Sequence, residues 1–295
     1  MHVKLSENFR AVFYGPFYAT HALGFYSDEG VAVDLLTSPA PAAAAAGLLD
    51  GSIDISWGGP MRVMKARDVD PNSPLTCFCE VAGRDPFFLV GRRDPAAFRL
   101  ASLTRLRVGT VSEVDTPWLC LQHDLREQGV DPGKLHRVAD RTMADNLAAL
   151  CSGDLDVVQL FEPYVSKALI AGAGDILYAA SARGPTVYTT YLATRDSIER
   201  NRDALAGMVR ATARMQAWLA QRGAHELAAV TAPFYPDVAP DILARSLRRY
   251  LDAGLWSTGT DVSPEGFARL ADSLRSGGFI SHQPRYEDCV AQNLS

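Results

Sequence analysis

The chain has 295 residues, 47% of them hydrophobic and 21% charged, with a formal net charge of −5. That length exceeds what one hydrophobic core commonly holds and predicts two domains. The acidic balance excludes nucleic acid as an expected partner, and no run of ~18 apolar residues is available for membrane insertion. The five cysteines, Cys77, Cys79, Cys120, Cys151 and Cys289, are odd in number and irregular in spacing, which predicts reduced thiols rather than a disulfide framework.

The first third alternates short apolar strands with helices. VKLSENFRAVFYG predicts a strand, FYATHALGFYSDEG a helix, VAVDLLTS a strand, and APAAAAAGLLDG a helix stopped by Gly51. SIDISW then predicts a strand, GPMRVMKARDVD a helix and LTCFCEVA a strand. Such alternation builds a mainly parallel sheet with helices on both faces. In the last strand Cys77 and Cys79 stand two apart, which places both thiols on one face. No second CxC, CxxC or nearby histidine completes a zinc set, so buried thiols and no metal are expected.

A second alternation, from LRVGTVSEVD to DILYAAS, repeats the first, and GLLDGSIDIS has its counterpart in ALCSGDLDVV. Between the two lie GRDPFFLVGRRDPAAF, near 83–98, and RGPTVYTTYLATRDSI, near 183–198. Each is apolar or aromatic, contains proline and reads as a strand crossing between lobes. Two crossings make the first domain discontinuous: residues 1–92 and 188–295 form one lobe and 93–187 the other. After the second crossing, IERNRDALAGMVRATARMQAWLAQRG, PDILARSLRRYLDAGLW and PEGFARLADSLRSGGF carry helical periodicity and predict C-terminal helices packed on the first lobe.

Four strand–turn–proline–helix junctions recur, at Gly15-Pro16, Gly59-Pro60, Thr116-Pro117 and Glu162-Pro163. Proline is favoured at any helix start. Four such starts beyond strand ends nevertheless predict the rim of one binding site, because ligands of open α/β sheets sit there, against free helix N–H groups. The candidate ligand contacts are Tyr14, Gly15 and Phe17, then Trp57, Gly58 and Gly59, from the first lobe. Ser112, Glu113, Asp115, Thr116 and Glu162 come from the second, and Arg84, Tyr188 and Tyr191 from the crossings. Trp57 offers a flat ring, and the glycines let ligand atoms approach backbone N–H groups.

Plainer roles stand beside these. Asp115, Thr116 and Glu162 are also candidate helix caps, and Arg84 is a candidate surface partner of Asp85 or Glu80. Carboxylates beside aromatic rings suit a flat ligand with N–H donors or positive charge; a purely anionic solute is the alternative. No nucleophile motif, phosphate loop, HExxH or dinucleotide fingerprint is present, so no catalytic residue and no cofactor are assigned.

HALGFYSDEGVAVDLL, GLLDGSIDISWGGP, RDPFFLVGR, LTRLRVGTVSEVDTPWLCLQHDLREQGVDPGKLHRV, LCSGDLDVVQLFEPYVSKAL and LRSGGFISHQPRYEDCV together resemble the type 2 periplasmic-binding-protein fold. The branch is the one that includes alkanesulfonate, taurine and nitrate binding proteins and the thiamin-pyrimidine-synthase-like proteins. The resemblance covers nearly the whole chain and specifies fold better than ligand. It implies two α/β lobes joined by two hinge strands, closing as a clamshell on a small-molecule ligand. The implied function is a solute-binding protein of an ABC transporter, with the permease as partner if exported and a flat aromatic or thiamin-pyrimidine-like ligand.

The alternative is a cytosolic enzyme on the same fold, of pyrimidine synthase, decarboxylase or desulfinase type, acting on a small aromatic or heterocyclic substrate. A synthase of this family would pair a lysine with a histidine in the first lobe; Lys65 has no such companion. MHVKLSENFRAVFYG lacks a signal-peptide core. The expected location is periplasmic if a leader was removed and cytoplasmic if Met1 is the native start.

Overall fold

In the computed structural model, which describes residues 1–38 and 41–294, ten strands form two sheets. The first lobe begins with β1 (His2–Ser6), α1 (Gly15–Ala22), α2 (Phe25–Asp28), β2 (Ala32–Leu36), α3 (Pro41–Asp50), β3 (Ile55–Gly58), α4 (Met61–Val69) and β4 (Leu75–Ala82). The second lobe holds β5 (Phe88–Gly91), β6 (Arg107–Val111), α5 (Thr116–Glu127), β7 (His136–Arg141), α6 (Met143–Ser152), β8 (Val157–Leu160), α7 (Tyr164–Ile170) and β9 (Asp175–Ala179). The chain returns through β10 (Thr189–Thr194) and ends in α8 (Arg195–Arg200), α9 (Arg202–Thr231), α10 (Pro240–Asp252), α11 (Pro264–Ser276) and α12 (Tyr286–Cys289).

The sheets share one plan. In the first, ordered β2-β1-β3-β10-β4, β1 runs parallel to β2 and β3, while β10 lies antiparallel between β3 and β4. In the second, ordered β7-β6-β8-β5-β9, β6 is parallel to β7 and β8, and β5 is the antiparallel member. The repeat seen in GLLDGSIDIS and ALCSGDLDVV is structural. Gly51 and Gly153 end α3 and α6 with φ of 77° and 86°, the left-handed region that glycine adopts without strain. In the next turn Asp54 and Asp156 accept the N–H groups of Lys4 and Arg107 at 2.9 and 2.8 Å, pinning β1 and β6 in the same way.

Several sequence expectations shift. The strand predicted through Gly15 stops at Ser6, and a 3-10 turn over Val12–Tyr14 leads into α1. The helix predicted over FYATHALGFYSDEG divides at Gly24, whose φ is 73°. The predicted start of the alanine-rich helix at Ala40 lies outside the described residues. The boundary placed after residue 92 moves back, because Phe88–Gly91 pairs with β8 and β9 and so belongs to the second sheet. The crossings are therefore the short segments 83–87 and 180–188.

Cys77 and Cys79 do not share a face. Tyr191 pairs with Phe78 and Thr190 with Glu80, so Cys79 is the extra residue of a bulge, with φ 55°. Cys77 packs beside Cys289 and Val290, while Cys79 enters the other hydrophobic cluster, where burial pushes its thiol up to about 12.

The C-terminal helices cover the first lobe and also reach the second: α9 packs on α1, α10 on α9 and α7, and α11 on α4 and α5. One apolar cluster runs from Val3, Leu5 and Ile55 of the first sheet to Val158 and Leu160 of the second. The lobes thus meet through a shared core beneath the cleft.

Candidate functional site

Three of the four proline junctions face one another across the lobes. The β1–α1 connection supplies Asn8, Phe9, Phe13 and Tyr14, the β3–α4 turn supplies Gly59, Met61 and Arg62, and the β6–α5 turn supplies Val114 and Thr116. Phe87 and Tyr188 enter from the two crossings, and together these residues enclose a cavity of about 30 Å³. The Thr116 hydroxyl donates to Sδ of Met61, so the first turns of α4 and α5 touch across it. Beside it lies an outer chamber of about 550 Å³ that shares the walls Phe9 and Val114.

Arg62 dominates the inner cavity electrostatically. Its Nε is buried without a hydrogen-bond partner among the described residues. Burial lowers its pKa, with the Asp115 carboxylate pulling the other way, yet a guanidinium stays protonated in a protein. Buried donors favour an acceptor strongly, and a charged donor most of all. The Asn8 amide donates to Tyr14 Oη at 3.2 Å, which fixes the phenol at the cavity wall.

The sequence reading missed Asn8, Phe9, Phe13, Met61, Arg62, Phe87 and Val114. A signal for Arg62 was present in GGPMR: a cation in the first turn of a helix opposes the macrodipole, so its placement there needs another cause.

Of the predicted contacts, Tyr14, Gly59, Thr116 and Tyr188 line the inner cavity and Glu113 the outer chamber. Glu113 Oε1 accepts the Met143 N–H at 3.0 Å. Asp115 precedes α5 but its side chain makes no cap bond; its charge is felt by Arg62 and Arg137. Ser112 is exposed and bonds Arg141 only through its backbone N–H.

The remaining seven leave the cleft. Trp57 is 0% exposed, stacked on Phe17 at 4.8 Å and met edge-on by Tyr18, because α1 covers this face of β3. Phe17 is buried in the same stack, and Tyr191 lies below it with its hydroxyl 2.6 Å from that of Tyr26. A Cβ on Gly15 would meet Leu247 and Leu227, and one on Gly58 would meet Leu192 and Asn8, so both glycines serve packing. Arg84 spans the crossings by donating to the Ser181 carbonyl at 2.8 Å rather than pairing with Asp85 or Glu80. Glu162 is buried in an ion pair described below.

The NMT1-like family model matches residues 9–232. This chain belongs to the NMT1-like family. The candidate binding protein YtlA of Bacillus subtilis is 26% identical over 295 residues, covering 99% of this chain and 88% of YtlA. Two solved structures share the fold of this NMT1-like protein. The periplasmic aliphatic sulphonate binding protein SsuA of Escherichia coli superposes with TM-score 0.78 at 20% identity, over 99% of this chain and 98% of SsuA. The ligand binding component of an ABC-type import system from Staphylococcus aureus gives 0.74 at 14% identity, over 100% and 97%. Among the described residues no helix is long and apolar enough to cross a membrane.

Two buried ionic clusters hold the lobes of this NMT1-like protein in register. At the hinge, Arg183 of the second crossing donates to Asp85 of the first at 2.6 Å and to Asp124 of α5, and Tyr178 donates to Asp124 at 2.8 Å. The Arg183, Asp85 and Asp124 side chains are 3%, 0% and 5% exposed. Beside the outer chamber, Glu162 of the second lobe accepts from Arg249 at 2.6 Å and from Ser246 at 3.1 Å, both on α10, while its own N–H donates to Tyr250 Oη at 2.8 Å.

Glu162 is therefore a latch between lobes and not a free cleft carboxylate. Arg249→Leu is expected to leave that carboxylate buried without its cation, which costs about 3–5 kcal/mol for a fully buried pair and less here because Arg249 is partly exposed. Opening of the lobes relieves the cost, so small-angle scattering should show a larger radius of gyration than the parent; an unchanged radius with unchanged stability would refute the latch.

Proposed function

We propose that this protein is the solute-binding component of an ABC importer, closing its lobes on a small, flat organic molecule that turns an acceptor edge to Arg62. The observation that carries this reading is Arg62, which lines a cavity walled by both lobes and whose Nε has no hydrogen-bond partner among the described residues. Phe9, Phe161, Tyr164 and Phe234 of the adjoining outer chamber supply ring surfaces for a flat body. The relatives' names support both halves: one is a component of an ABC-type import system, and SsuA is named for sulphonates, which are anions.

The acceptor edge replaces the amine suggested by charge counting along the sequence. Glu162 is neutralised by Arg249 and Glu113 is engaged by a backbone N–H, so two of the three carboxylates that favoured a cationic ligand are already occupied. A carboxylate, a sulfonate, or an exocyclic carbonyl or amide group carried by a heterocycle presents the required acceptor.

The test is a thermal-shift screen of aromatic and aliphatic carboxylates, sulfonates, nitrate and aminopyrimidines, repeated on Arg62→Gln. A ligand at about 100 times its Kd stabilises the folded state by about 2.7 kcal/mol. A hit on the parent is expected to lose about tenfold to a hundredfold in affinity in the variant, the worth of a buried charge-assisted hydrogen bond. Hits whose affinity ignores Arg62, or that bind without closing the lobes in scattering, would sink the reading.

A further inference from the structure

We infer that the ligand has two parts, an acceptor head seated in the inner cavity on Arg62 and an apolar, ring-sized body lying in the outer chamber, joined through the gap between Phe9 and Val114. This rests on the proposed cleft reading and extends it to the shape of the solute. The first observation is size. A cavity of about 10–15 Å³ already holds one water, so the inner space of about 30 Å³ admits a carboxylate, amide or similar small group and excludes a six-membered ring.

The second is continuity. Phe9, from the first lobe, and Val114, from the second, line both spaces, so the two adjoin at these side chains and a solute with two parts can occupy both.

The third is the chemistry of the chamber wall. Phe9 and Phe161 stack across the lobes at 6.4 Å, and Tyr164, Phe234 and Met143 continue the apolar lining. Of its four charged residues, Arg10 bonds Glu7 through Nε and Nη2, Glu113 takes the Met143 N–H, and Lys167 lies over the Tyr164 ring at 5.4 Å, which leaves the exposed Asp237 as the acidic part of the wall. A body without charge of its own matches such a wall, and each added apolar group should tighten binding by removing surface from water.

The experiment measures Kd by calorimetry for acetate, butanoate, benzoate, 3-phenylpropanoate and 3-(2-naphthyl)propanoate on the parent, Arg62→Gln, Val114→Trp and Phe161→Ala, each checked for folding by circular dichroism. On the parent, 3-phenylpropanoate is expected to bind about tenfold or more tighter than acetate, as burial of a phenyl ring requires. Val114→Trp fills the gap, so this ratio should collapse to about threefold or less. Phe161→Ala widens the chamber and should shift preference by about threefold or more toward 3-(2-naphthyl)propanoate, a readout that survives if the tryptophan variant does not fold.

Affinity that depends on Arg62 but is indifferent to tail size would overturn the two-part ligand and leave the cleft reading intact. A tail gradient that both chamber variants leave untouched would equally overturn it. Failure of every acid on the parent would overturn this inference alone, and binding that ignores Arg62 would remove the cleft reading with it.

Discussion

Arg183→Met is expected to destabilise the fold by about 3–5 kcal/mol, the cost of removing one partner from a buried ionic cluster. The guanidinium bridges Asp85 and Asp124, and nothing solvated can take its place, since both carboxylates are almost wholly buried. At Asp85 burial raises the pKa, and Arg183 is the main charge pulling it back. Urea denaturation followed by circular dichroism measures the effect. Combining Arg183→Met with Asp85→Asn and Asp124→Asn should recover part of the stability, because the penalty lies in the orphaned charges more than in lost contacts. A variant within about 1 kcal/mol of the parent would show that the cluster is better solvated than its geometry states.

Trp57→Ala is expected to cost about 3–5 kcal/mol as well, the range for truncating a core aromatic. The ring is covered on one side by Phe17 and met by Tyr18 and Tyr14, so removal opens a void beneath α1 and breaks several ring pairs at once. The thermal melt should fall sharply, and the folded fraction should retain its ligand affinity, since the ring does not line the cleft. Lost affinity with an unchanged melt would return Trp57 to the cleft.

The contrast between Trp57 and Arg62 shows what was legible in the sequence. The proline junctions and the lobe repeat were readable because proline, glycine and strand periodicity act locally, and Gly51 and Gly153 end their helices for that reason. Trp57 misled because a strand-end aromatic does not reveal which face a later helix will cover. Glu162 misled because its cation, Arg249, lies 87 residues away. The exchange of β5 into the second sheet was hidden for a similar cause: an apolar run beside proline marks a strand but names no partner, and both of its partners come later in the chain. Arg62 was the opposite case, a local anomaly at the start of a helix already chosen as part of the site.

The placement of β10 also sets a timetable for synthesis. The second sheet is complete once Ala179 has been made, because β5 to β9 are contiguous in the chain, whereas the first sheet holds an empty slot between β3 and β4 until Thr189–Thr194 emerges. At about 5–20 residues per second, the ribosome needs roughly 5–20 s to travel from β4 to β10. Through that interval the lobe begun first leaves the facing edges of β3 and β4 unpaired, while the lobe begun second has all its strands. Edges of this kind recruit other strands, so a nascent-chain chaperone has its natural window here, and slow codons between β4 and β10 would lengthen the exposure.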